Sequence, residues 1–111
     1  LQLMHSKYSK LLIKNLKEMN EEVDPPKVKS LQLGLDILLN NDLRDDINKI
    51  NHRTLLIVGD MDRLTPKSAS MWLESHLKQA QLKIIQGASH IPFLSHPDDF
   101  FDHLDQFLLA A

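Results

Sequence analysis

Cysteine is missing altogether from these 111 residues, which excludes a disulfide framework and thiol catalysis and fits a reducing compartment such as the cytoplasm. Glycine is nearly as scarce: there are three, at positions 34, 59 and 87. No apolar run is long enough to cross a bilayer, and the first residues lack the apolar core of a signal peptide. No membrane partner is expected. The net charge of −2 gives no reason to bind nucleic acid or anionic lipid. Neither an internal repeat nor a low-complexity tract is found. A compact His-x-x-x-His pair is also lacking, so no zinc site is expected, and no other metal or organic cofactor.

What is present is ordinary globular material, 42% hydrophobic and 25% charged, enough for one domain at most. From about Met4 to Asn20, Met4, Tyr8, Leu11, Leu12, Leu16 and Met19 recur at helical spacing, with Lys7, Lys10, Lys14 and Lys17 on the opposite arc. Asp24-Pro25-Pro26 reads as the start of a second helix, running to about Leu39 with Asp24 as N-cap. That helix is apolar on two sides, Val28, Leu31, Leu35, Leu38 and Leu39 on one and Leu33 and Ile37 on the other. Both sides are therefore expected to be covered. Thr54 to Val58 reads as a strand buried on both faces. Thr65 then caps a helix reaching about Lys78, Leu82 to Gln86 makes a second strand, and Pro97 to about Leu109 a last helix.

Strands alternating with helices predict an α/β fold with a parallel sheet. Two parallel strands make a poor freestanding sheet, because such sheets need several strands and cover on both faces. The chain is thus expected to be part of a larger fold, its N-terminal portion missing. Leu1 in place of an initiating methionine agrees with that.

Asp62 and His90 each lie in a loop just after an apolar strand, where α/β enzymes place catalytic side chains. A carboxylate that accepts the Nδ1–H of an imidazole fixes its tautomer, and leaves Nε2 to deprotonate a serine. Gly59 and Gly87 let the chain turn sharply off each strand.

The pattern Gly59-x-x-Asp62-x-x-x-Pro66, a strand, then Gly87-x-x-His90-x-Pro92 resembles the C-terminal part of the α/β-hydrolase family. The stretches Ser89–Phe100 and Leu33–Arg44 also resemble the histidine loop and the lid-to-core connection of the pimeloyl-[acyl-carrier protein] methyl ester esterases of biotin synthesis. The resemblance covers most of the chain from about Val28 onward. It implies the remainder of a helical lid over 1–44 and the C-terminal part of the hydrolase core over 45–111. It also implies a serine carboxylesterase with Asp62 and His90 as the acid and histidine of its triad. Lys10 and Lys14 would dock the acidic carrier protein, where the family has arginines. Leu33, Ile37, Ile91 and Phe93 are expected to line an apolar acyl pocket. The substrate would be an ester linked to acyl carrier protein, or a small ester.

No Gly-x-Ser-x-Gly occurs in these residues, so the nucleophile and the oxyanion donors are expected from a segment upstream. The same framework supports C–C hydrolases, lyases, dehalogenases and thioesterases, and a non-catalytic interaction fragment is a further alternative. Asp60, the competing acid, reads as a turn former beside Gly59. His96 and Ser95 read as openers of the last helix, and Ser89 as unable to face His90. His5, His52, His76 and His103 read as surface or partly packed residues. The lysine stripe also has a plain reading as the solvated face of its helix.

Overall fold

Glu21 to Asp24 interrupts the first apolar arc with charge, and in the computed structural model, which describes residues 7–110, the first helix ends there. This helix, α1, spans Lys7–Glu21. Met4 and His5 lie outside the described residues. Helix α2 spans Val28–Asn40, a 3-10 helix covers Arg44–Lys49, and strand β1 covers Thr54–Gly59. There follow α3 (Lys67–His76), β2 (Ala80–Ile85), α4 (Pro92–Ser95) and α5 (Pro97–Leu109).

The two strands pair in parallel, from Thr54 opposite Ala80 to Gly59 opposite Ile85. The β1–α3–β2 crossover confirms the α/β class expected from the alternation of elements. Helices α3 and α5 both pack on this sheet, and α4 contacts α1 and α5. The tightest core lies at the carboxyl end of the strands, where Val58 is 4% exposed, Ile85 2% and Ala88 fully buried.

Several boundaries differ from the sequence reading. Position Lys27, not Asp24, precedes α2, and Pro66, not Thr65, precedes α3; neither start has a side-chain cap. Helix α3 stops at His76, because Leu77 is already extended. Strand β2 begins at Ala80 rather than Leu82. The short α4 is an element that the four residues Pro92–Ser95 are too few to reveal by periodicity.

Much apolar surface is left uncovered. The accessible area is 9425 Å², against roughly 6,300 Å² for a compact monomer of 12.8 kDa. The radius of gyration is 16.7 Å, where about 13 Å suits a compact chain of this length. Helix α2 accounts for part of the excess. Among the described residues no other element packs closely on it, and Leu31, Leu35, Ile37 and Leu39 are all more than half exposed.

Gly59 is where the fold tolerates least change. A Cβ there would lie 2.2 Å from Ala88 O and 2.4 Å from Ser89 O, both backbone atoms of the loop after β2. Gly59→Ala should therefore force the two loops apart and destabilise the protein by about 3 kcal/mol or more, read from the urea midpoint. Unchanged stability would mean that the loops do not cross this closely.

Candidate active site

The loops that leave β1 and β2 are sewn together by backbone. Asp60 N–H donates to Ile85 O at 3.2 Å, and Met61 N–H to Ala88 O at 3.0 Å. Asp60 Oδ1 accepts the Gly87 N–H at 2.8 Å. The turner of the first loop thus also clamps the second. Gly87 has φ 76°, a left-handed conformation that side chains resist, and it reverses the chain toward His90.

This crossing brings Asp62 and His90 together, 28 residues apart in sequence, with Oδ2 3.0 Å from Nδ1. The Asp62 side chain is 4% exposed and that of His90 49% exposed. The acid is shut off from solvent and the imidazole is half open to it. Asp62 Oδ1 accepts the N–H groups of Leu64 at 2.9 Å and Thr65 at 3.0 Å. Oδ2 accepts the Thr65 hydroxyl at 2.8 Å as well as facing the ring.

Burial alone would raise the Asp62 pKa. The hydrogen bonds from His90, from both Thr65 donors and from Leu64 outweigh it and hold the carboxyl down at about 2, against an ordinary 3.8. The group is therefore a carboxylate at neutral pH and can only accept. It follows that Nδ1 carries a proton, and in the neutral ring this leaves the lone pair on Nε2. That arrangement suits a general base.

Other candidates sit as follows. Ile91 directly follows His90, and Phe93, three residues beyond it in α4, is 46% exposed and edge-on to Phe100. Leu33 and Ile37, 56% and 63% exposed, are on α2, on which no other element packs closely among the described residues. Enclosing an acyl chain between these four side chains needs a further wall. An open apolar cavity of about 400 Å³ is lined by Arg44, Ala69, Trp72 and Leu73, none of them at the Asp62–His90 pair. Lys10 and Lys14 are exposed on α1, and Lys14 lies 3.9 Å from Glu18.

Ser95 does not cap α5; its hydroxyl donates back to Ile91 O at 3.3 Å and so closes α4. His96 occupies the position before α5 and opens it through its backbone carbonyl, which accepts Phe100 N–H. His52 and His76 are exposed, His76 stacking on Trp72. His103 is partly buried, and its Nδ1 has no partner among the described residues. Among those residues no group of three or more metal-binding side chains is found, and no helix is long and apolar enough to cross a membrane.

Sequence reasoning missed Thr65, whose hydroxyl serves the acid rather than the following helix. Leu64, two residues after Asp62, stands at the spacing of an Asx turn, and that turn, which would bring the next residue, Thr65, round to the carboxylate, was the available signal.

No protein-family profile matches the chain. It is 41% identical over 81 residues to a pimeloyl-[acyl-carrier protein] methyl ester esterase from Nitrosomonas europaea, a match covering 73% of the chain and 32% of that protein. A protein of the same name from Aeromonas hydrophila is 30% identical over 108 residues, or 97% of the chain and 42% of the relative. The chain thus spans about a third to two-fifths of the length of these relatives. Among solved structures, an α/β-hydrolase enzyme from a metagenome of Mar Chica lagoon sediments superposes with a TM-score of 0.63 at 24% identity. That match covers 65% of this chain and 33% of the other, and establishes the fold.

With Oδ2 ionised and Nδ1 protonated, the stability that Asp62 contributes has a defined pH window. Its folded pKa lies below the unfolded value, so the contribution is complete above pH 4 and is lost as pH falls through about 2. The size is about 2 kcal/mol. Asp62→Asn should flatten the loss of stability between those limits, measured by urea unfolding across pH. An acid limb as steep as the wild type's would contradict the assignment.

Proposed function

The chain belongs to the α/β-hydrolase family, and on that premise we propose that it supplies the acid and the base of a serine carboxylesterase. The substrate we assign is the methyl ester of a pimeloyl chain on acyl carrier protein, in biotin synthesis in the cytoplasm. The observation that carries the reading is the 3.0 Å approach of Asp62 Oδ2 to His90 Nδ1, with the His90 side chain half exposed. Similarity to the Nitrosomonas and Aeromonas esterases supports the substrate. Residues 1–44 are assigned to the lid and 45–111 to the core.

In this reaction His90 Nε2 takes the proton of a serine hydroxyl borne by a segment outside these residues. The serine oxygen adds to the ester carbonyl, and Asp62 stabilises the imidazolium that results. His90 then gives its proton to the departing methoxide, releasing methanol and leaving an acyl-serine. Water, deprotonated by the same nitrogen, attacks the acyl-serine, and the returned proton restores the serine beside a free carboxylic acid. Loss of a nucleophile costs on the order of 10⁶ in turnover. These 111 residues by themselves should therefore show no ester hydrolysis and no labelling by a fluorophosphonate.

The test is to join the chain to the part of the Nitrosomonas relative that it does not match. The chimera should hydrolyse a methyl ester and take up fluorophosphonate at one serine. His90→Ala should then lower kcat by roughly 10⁵ or more, and Asp62→Asn by roughly 10⁴. Activity within tenfold of the parent chimera after His90→Ala would refute the reading.

The lysines of α1 complete the proposal. Lys10 and Lys14 face solvent and would meet the acidic carrier by charge complementarity. As lysines they supply charge without bidentate geometry. Reversal of both to glutamate in the chimera should raise KM for the carrier-linked ester about tenfold and leave a small ester unaffected. Equal losses on both substrates would show that the lysines do not dock the carrier.

A further inference from the structure

We propose that Thr65 is a positioning residue of the Asp62–His90 pair, one that sets the plane of the carboxylate and leaves the imidazole a single acceptable tautomer. The inference rests on the catalytic reading of that pair. Thr65 gives both of its donors to one carboxylate, the N–H to Oδ1 at 3.0 Å and the hydroxyl to Oδ2 at 2.8 Å. With Leu64 N–H also on Oδ1, rotation of the carboxylate would break bonds at both oxygens.

Thr65 Oγ1 further lies 3.3 Å from His90 Nδ1. Its own proton is committed to Oδ2, so it turns a lone pair toward the ring. An Nδ1–H can share itself between Oδ2 and Oγ1. A bare Nδ1 would face two oxygens with one proton among three atoms, which is unfavourable. A helix-capping role does not account for the hydroxyl, because Pro66 holds the position before α3 and the helix start has no side-chain cap.

Imidazole-edited ¹⁵N spectroscopy of the ¹⁵N-labelled protein tests this. In the unmodified protein and in Thr65→Ser, His90 should show its proton on Nδ1, slow to exchange with solvent. Thr65→Val keeps the shape and removes the hydroxyl. It should speed exchange of that proton about tenfold, the loss of one modest hydrogen bond, and mix the tautomers. Thr65→Ala serves as a second hydroxyl-free variant if the valine form does not fold. Wild-type exchange and tautomer in either folded variant, or a Thr65→Ser signal like that of valine, overturns the inference. Asp62→Asn separates the two claims. It should abolish the Nδ1–H signature, and if it leaves that signature intact, the pair itself is misassigned.

Discussion

Two chain segments cross at Gly59 so closely that no side chain fits between them. The carbonyls of Ala88 and Ser89 occupy the space that a Cβ would take, and backbone bonds from Asp60 and Met61 hold the approach. Everything chemical in the molecule follows from this contact. Parallel strands deliver their carboxyl ends side by side, but strand pairing alone leaves the following loops free to splay. The crossing, with the clamp from Asp60 to Gly87, removes that freedom. Asp62 and His90 then meet because each is only three residues beyond a fixed glycine.

The carboxylate at the centre is an expensive group to hold out of water. It is tolerated because each oxygen is satisfied twice, Oδ1 by two backbone N–H groups and Oδ2 by a hydroxyl and an imidazole. A charge satisfied this way is fixed in place and does not reorganise when an imidazolium forms beside it, which is the condition for electrostatic preorganisation. Among the described residues the His90 ring is held through Nδ1, and its side chain stays half exposed. The asymmetry between a buried acid and a half-exposed base gives the pair its direction.

Patterns that depend on neighbours in sequence were legible. Val58 and Ile85 end apolar runs that read as strands, and they lie in paired strands, Val58 opposite Ile84 and Ile85 opposite Gly59. The last helix, expected from Pro97 to about Leu109, has the same bounds in α5. The approach of Asp62 to His90 was also readable, since each lies three residues beyond a glycine, Gly59 at the end of β1 and Gly87 in the loop just after β2. Features that depend on contacts across sequence were not. Thr65 looked like a cap because Thr-Pro commonly opens helices, whereas its hydroxyl is captured by an acid that only the turn brings within reach. Asp24 looked like a cap for the same local reason, but α2 begins at Val28. Cover for Leu33, Leu35 and Ile37 was expected from their two-sided pattern, and among the described residues they stay exposed.

That exposed surface and the two-stranded sheet make the chain one part of a hydrolase fold, consistent with its spanning a third to two-fifths of its relatives. The Asp62–His90 pair is organised by the chain's own loops. A crystal structure of the chimera carrying a phosphonate adduct on its serine tests that account most directly. The account predicts His90 Nε2 within about 3 Å of the serine oxygen while Nδ1 stays on Asp62. A ring turned away from the adduct, or an Asp62 that has let go of it, would contradict the account.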